Sequence, residues 1–411
     1  MRIGVVGAGG REHALAWALG RTAEVVGVPG NAGMARFGIR CAPTLDAAGP
    51  VDLVVIGPEQ PLVDGLADQL RAAGTAVFGP GADGAHLEGS KAHLKQVLQR
   101  AGVPTAASRA FRTGEEAAAA AFLRSLAGPW VVKTDGLAAG KGVLVADDAE
   151  EAVADVRAKL SGASFGPAGR TVLIEEGLTG PEVSLLAICD GRTTDDAVVV
   201  LPVARDHKRA GEGDTGPNTG GMGAFSPVRG VPADLTEQVL ETMVLPTLHT
   251  LAADGVDYRG VLYAGIMLTP SGPKLLEYNV RFGDPEAQVV LPRLDGDLAA
   301  LLASAAAGRV DQSSVQVRPE ACAGVVLAAP GYPAAPVAGA EISGLEQAGP
   351  LVFCAGVAER EGVLVTAGGR VLCVVALGPD GPAARRAAYQ AADHVTFAGG
   401  VLRREDIAAT A

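Results

Sequence analysis

The first hundred residues repeat one unit: a short apolar strand ends in glycine and leads into an Ala/Leu-rich helix. Arg2 to Val6 before Gly7, Asp52 to Ile56 before Gly57 and Ala76 to Phe78 before Gly79 carry it. Strands with no polar face must be covered on both sides, which predicts a parallel sheet between helix layers. Ligands of such a sheet gather beyond the carboxyl ends of its strands, so the glycine loops there are the first candidates for a site.

At 411 residues and 48% hydrophobic content, the chain can bury several cores, and its length suggests roughly two to four domains. The balance of 34 basic and 46 acidic residues gives a net charge of −12, which argues against nucleic acid as a partner. Cys41, Cys189, Cys322, Cys354 and Cys373 are scattered, odd in number and without a CxxC pair, so they read as reduced core thiols. The apolar run Ile3 to Gly10 ends in Arg11-Glu12-His13 without a cleavage pattern, and Pro330, Gly331, Pro333 and Pro336 interrupt the stretch from Ala321 to Ala340. A cytoplasmic chain with no membrane span is expected.

An N-terminal Rossmann-like domain is expected over 1–98, a second region over 99–310 and a small α+β domain over 311–411. A helix from about Ala85 to Ala101 closes the first. The second has strands at Trp130 to Thr134, Val143 to Ala146, Thr171 to Glu175, Leu262 to Leu268 and Lys274 to Asn279. Asp206 to Pro227 reads as a long polar loop, a length that usually serves function. In the last region, Val363 to Ala367 and Arg370 to Ala376 around Gly368-Gly369 read as a hairpin, followed by a helix from Pro382 to Val395.

Gly7-Ala8-Gly9-Gly10-Arg11-Glu12-His13 joins a strand to a helix, where backbone N–H groups and the helix dipole attract phosphate. A dinucleotide fingerprint needs its third glycine at position 12. Glu12 stands there and would repel a pyrophosphate, which argues against NAD and an oxidoreductase. Pro29-Gly30-Asn31-Ala32-Gly33 and Gly57-Pro58-Glu59 lie at the same sheet edge, and three such loops can enclose a small sugar phosphate.

Further on, Lys133 ends an apolar strand, a glycine loop follows, and Lys141 opens the next strand. This suits a lid over phosphates but lacks the order of a P-loop. Glu175-Glu176-Gly177-Leu178 could offer backbone groups to adenine, with Glu182 accepting ribose hydroxyls. Glu277 and Asn279 are two apart on a strand and share a face, giving hard oxygen ligands for a Mg²⁺ shared with ATP. Arg281 lies on that face if the strand continues. Taken singly, each motif has a plainer reading as a tight turn, a solvated hairpin or a polar strand edge.

The motifs gain weight together. Gly9 to His13, Pro29 to Gly33, Gly57 to Glu59, Leu87-Glu88-Gly89-Ser90-Lys91, Asp135 to Val143, Asp206-His207-Lys208-Arg209, Asp214 to Gly223 and Asn279 to Glu286 occur in that order. Jointly they resemble the phosphoribosylamine–glycine ligase (glycinamide ribonucleotide synthetase) family of the ATP-grasp superfamily, over residues 1 to about 375. The resemblance implies the ATP-grasp fold, with a mobile lid near 108–180. It also implies a reaction: ATP-dependent ligation of glycine to 5-phosphoribosylamine through glycyl phosphate, in purine biosynthesis.

By that resemblance, Lys95, Lys133 and Lys141 would hold ATP phosphates, Glu175, Glu176 and Leu178 would form the adenine hinge, and Glu182 would hold ribose. Glu277 and Asn279 would bind Mg²⁺ or Mn²⁺. Gly9, Gly10, Arg11, Asn31 and Glu59 would face phosphoribosylamine, while Asp206, Lys208, Asp214 and Arg281 would line the chemical centre. A monomer is expected. Two departures stand out: Ala8 replaces a polar residue of many members, and Tyr263 to Met267 lacks the acid that many ATP-grasp enzymes carry there. The metal should then lean more on phosphate oxygens.

The rivals are another ATP-grasp carboxylate–amine ligase or carboxylase of nucleotide metabolism, and a catalytically silent nucleotide sensor. Glu277→Ala is expected to abolish turnover while unfolding stays cooperative, because it removes a metal ligand and no core packing. Steady-state ADP release beside a urea titration checks this, and a near-normal rate would put the metal elsewhere.

Overall fold

The structure is a computed structural model that describes residues 1–137, 142–162, 164, 170–349 and 351–411. The expected parallel sheet is present, with five strands in the order Arg40–Cys41, Glu24–Pro29, Arg2–Gly7, Leu53–Ile56 and Val77–Phe78. Every neighbouring pair in it is parallel. From the central strand Arg2–Gly7 the chain first winds to one side and later returns on the other, so a crevice opens at the reversal.

Glu12 fills that crevice. Its Oε2 accepts the Gly9 N–H at 2.6 Å, which caps the helix Gly10–Leu19 from within. A Cβ on Gly57 would stand 2.2 Å from Glu12 Oε1, and one on Gly7 2.5 Å from Glu12 Cγ. These glycines therefore make room for a carboxylate where a dinucleotide would place its pyrophosphate.

The helix expected from Ala85 to Ala101 is two helices, Ala82–Gly89 and Lys91–Ala101. Ser90 breaks it by turning extended and accepting the His93 N–H on its hydroxyl at 3.1 Å, a local side-chain bond that competes with helix continuation. An antiparallel sheet follows, in the order Ser108–Arg112, Thr171–Glu176, Trp130–Thr134 and Val143–Ala146. The helices Glu116–Ser125 and Ala149–Leu160 share its core, through Phe111, Leu123, Val132, Val156 and Ile174. A second antiparallel sheet orders Val198–Val200, Glu182–Asp190, Arg259–Thr269 and Gly272–Asn279.

The C-terminal sheet recruits strands from the middle of the chain. Its order is Arg205–Asp206, Gly223–Ser226, Ala321–Ala328, Arg370–Gly378 and Val352–Cys354, with the helix Gly381–Ala392 packed into the same core. The segment expected as a long loop is thus anchored by strands at both ends, and between them Arg209–Gly211 pairs with Thr215–Asn218.

The expected hairpin at Gly368-Gly369 does not form. Val363–Thr366 instead pairs with Val357–Arg360 around Glu361 and Gly362, both at positive φ, as a tight hairpin turn requires. Gly369 serves close packing, since a Cβ there would stand 2.2 Å from the Tyr332 ring.

All five cysteines are free thiols, with Cys41 partly exposed and the others buried. Among the described residues no helix is long and apolar enough to cross a membrane.

His13 joins the first glycine loop to the C-terminal sheet, its Nδ1 accepting the Cys354 N–H at 2.9 Å. Asn31 Nδ2 donates to the Cys354 carbonyl at 2.9 Å and to the Ala8 carbonyl at 2.8 Å. Burial pushes the His13 imidazole down to about 4. The folded pKa lies below the unfolded one, so the neutral ring's contribution is complete above about pH 6.5 and is lost as pH falls towards 4, by about 3 kcal/mol. In urea titrations at about pH 7 and pH 4.5, His13→Gln should lose less stability on acidification than the parent chain.

Candidate active site

Two helical lysines and one strand lysine begin the site. Lys91 and Lys95 stand four apart on the helix Lys91–Ala101 and so share a face. On the strand Trp130–Thr134, Val132 enters the core and Lys133 points the opposite way. Glu175, on the adjoining strand, receives both ammonium groups: Lys95 Nζ lies 2.6 Å from Oε1 and Lys133 Nζ 2.5 Å from Oε2. Its side chain is only 3% exposed. Burial alone would raise this carboxyl, but Lys133 and Lys95 hold it below its usual range.

Glu175 therefore turns its carboxylate to Lys95 and Lys133. Glu176 faces elsewhere and accepts from Ala107 N at 3.1 Å and Lys274 Nζ at 3.2 Å. Leu178 follows in the half-buried turn after the strand. Lys91 Nζ donates to the Gly136 carbonyl at 2.8 Å, and Lys141 lies outside the described residues.

Glu277 and Asn279 close the strand Gly272–Asn279, opposite Gly265 and Tyr263. A bulge where the register shifts between Gly265 and Ile266 sets their direction. Burial would raise the Glu277 carboxyl, yet Lys208, Lys133, Lys91 and Arg281 together hold it below its usual range. An ionised carboxylate beside an amide oxygen is a donor set that Mg²⁺ or Mn²⁺ accepts. The surrounding cations oppose a bare ion and favour one that arrives with phosphates. Among the described residues no group of three or more His, Cys, Asp or Glu is placed to hold a metal.

Beside this face Lys208 pairs with Glu182. Burial would lower the Lys208 ammonium, but Glu182 and Asp206 hold it well above its usual value. Burial, only partly opposed by Lys208, raises the Asp206 carboxyl well above the ordinary range. Glu286, nearly buried, accepts from Tyr263 Oη at 2.8 Å and Ser184 Oγ at 3.1 Å.

Arg281 stands just past the strand and links this face to the N-terminal loops. Its Nη2 lies 3.2 Å from Asn279 Oδ1 and 3.0 Å from Glu88 Oε1, and its Nε 3.3 Å from Glu59 Oε2. Arg11, 7% exposed, pairs with Glu12 at 2.5 Å and donates to the Phe282 carbonyl at 3.2 Å. Its Nη1 lies 3.9 Å from Glu59 Oε2. Burial would raise the Glu59 carboxyl, but Arg281 and Arg11 hold it below its usual range. Gly10 admits Gln288, whose Nε2 would be 2.9 Å from a Cβ there.

The structure thus brings Arg11 and Glu59 to Arg281 and Asn279, and Lys208 to Glu182. Asp214 is drawn away to Arg404 at 2.8 Å, and Asn31 spends its amide on backbone carbonyls. Glu88, Lys91, Glu286 and Arg370 were not picked out from the sequence. Glu88 and Lys91 do lie in the Leu87 to Lys91 motif and Glu286 ends the Asn279 to Glu286 motif, which was the available signal.

Comparison with known proteins decides the family. Models of the phosphoribosylglycinamide synthetase N domain, ATP-grasp (A) domain and C domain match residues 1–88, 89–287 and 322–410. The phosphoribosylamine–glycine ligase of Vibrio cholerae is 45% identical over 98% of this chain and 97% of its own length. This chain belongs to the phosphoribosylamine–glycine ligase family.

The ligase of that name from Caulobacter vibrioides is 47% identical over 98% of this chain and 96% of its own. The crystal structure of the Thermotoga maritima ligase superposes with a TM-score of 0.87 at 37% identity, covering 99% of this chain and 100% of that one. A biotin carboxylase from Campylobacter jejuni shares only the fold, at 14% identity and a TM-score of 0.71 over 98% and 92% of the two chains. Within the ligase family's ATP-grasp domain, Lys133 is paired with Glu175. Lys133→Met should raise the ATP KM about tenfold or more, and unchanged ATP affinity in a nucleotide titration would remove Lys133 from the phosphate site.

Proposed function

We propose that this chain joins glycine to 5-phosphoribosylamine with ATP, giving glycinamide ribonucleotide, ADP and phosphate in purine biosynthesis. The supporting observation is the set of cations around one carboxylate: Lys91 from a helix, Lys133 from a strand, and Lys208 and Arg281 from two further segments act on Glu277. Such a cluster of cations suits a triphosphate, whose charge it can offset.

A carboxylate is a poor acyl donor until its oxygen becomes part of a good leaving group. Glycine's carboxylate oxygen attacks the γ-phosphorus, and the bond to the β-phosphate oxygen breaks to release ADP. The amine of phosphoribosylamine then attacks the acyl carbon, phosphate departs and the amine gives up a proton. Positioning and charge stabilisation carry most of such a reaction.

Lys95, Lys133 and Lys141 hold the phosphates, the backbone of Glu175, Glu176 and Leu178 receives adenine, and Glu182 takes the ribose hydroxyls. Glu277 and Asn279 hold Mg²⁺ or Mn²⁺, which when bound neutralises charge on the phosphoryl group. Arg281, Lys208 and Asp206 line the chemical centre. Gly9, Gly10, Arg11, Asn31 and Glu59 face phosphoribosylamine. The chain works as a cytoplasmic monomer, divided near residues 98 and 310.

Phosphoribosylamine made in situ, with glycine and MgATP, should give ADP release that requires both the amine and glycine. Release that proceeds equally without glycine would overturn this reading.

A further inference from the structure

Asp206, His207 and Lys208 open a segment that returns to the sheet at Gly223, and its course is set by the C-terminal domain. Arg404, 1% exposed, grips Asp406 through two bonds of 2.7 and 2.6 Å. Its Nη1 donates to the Arg209 carbonyl at 3.0 Å and to Asp214 Oδ1 at 2.8 Å. Asp406 Oδ2 in turn accepts the Gly213 N–H at 2.8 Å, so one guanidinium–carboxylate pair holds the first arm and the turn of the small hairpin. Asp214 sits at φ 56, an uncommon conformation for a non-glycine residue that persists only where its surroundings enforce it. The Ala408 N–H also reaches His207 Nε2 at 3.3 Å, between the two residues of the chemical centre.

The far end is held in the same way. Arg370 Nη1 donates to the Gly220 carbonyl at 2.6 Å and the Asp284 carbonyl at 2.8 Å. A Cβ on Gly220 would stand 2.9 Å from Arg370 Cζ, and one on Gly221 2.5 Å from Pro285 Cδ. Gly220 thus permits close docking on Arg370 of the C-terminal domain, and Gly221 close docking on the Asp284-Pro285 turn.

We propose that Arg404 is a positioning residue for the ligation, acting through Asp214, which anchors the segment that carries Asp206 and Lys208 and takes no part in the chemistry itself. This rests on the ligase reading above. An arginine fork fixes geometry more tightly than a point charge, so losing it lets the hairpin and the adjoining Asp206 and Lys208 drift.

The test measures KM for glycine, phosphoribosylamine and ATP in Arg404→Met, Asp214→Asn and the double variant, with Arg404→Lys as the conservative control. The Asp214 side chain is 52% exposed, so Asp214→Asn remains folded even if Arg404→Met does not. Each single variant should raise the KM for glycine or phosphoribosylamine about tenfold while the ATP KM stays within about twofold. The double variant should be no worse than either single one, and Arg404→Lys should recover part of the loss. Additive losses, an Asp214→Asn effect far beyond that of Arg404→Met, or unchanged KM values with only a lowered Tm would overturn the inference. Parent enzyme without glycine-dependent ADP release would instead overturn the ligase reading.

Discussion

Arg281 joins groups from three separate parts of the chain: Glu59 beyond the N-terminal sheet, Glu88 at the end of a helix, and Asn279 on the face that also carries Glu277. A guanidinium offers five donors in a rigid plane, so all three partners are fixed relative to one another. Burial raises Glu88 despite its pairing with Arg281, and withdrawing the cation would leave this buried carboxyl without its ion-pair partner, a costly state. This one side chain ties the loop of Glu59 to the end of the strand that carries Glu277 and Asn279.

The nucleotide end follows the same logic with the signs reversed. Two ammonium groups from different elements would repel each other if left alone, and the Glu175 carboxylate between them balances the charge before any ligand arrives. A polyanionic ligand at the proposed phosphate site would therefore meet charges already in place. The C-terminal domain completes the arrangement by pinning the first loop through His13 and Cys354 and the Asp284 loop through Arg370.

Much of this was legible where short-range rules apply. Trp130–Thr134 and Val143–Ala146 form the strands expected of them, residue for residue, because apolar runs bounded by turn residues need no distant information. Glu12 was legible too, since a carboxylate cannot share a crevice with a pyrophosphate. The Gly368-Gly369 hairpin was misread because glycine serves tight turns and tight packing alike, and only the Tyr332 ring tells them apart. Ser90 broke a helix that its neighbours favoured, through one capping bond. Glu88 and Arg370 were missed because a charged residue in sequence does not disclose its partner.

The sequence by itself determined many of the strands and helices and, through the order of its motifs, the family. Tertiary structure alone decided the pairings: Glu175 with two lysines, Glu182 with Lys208, and Asp214 with an arginine 190 residues away. Periodicity and turn chemistry act over a few residues and are written along the chain. An ion pair depends on distance and burial in space, and these exist only once the sheets have packed.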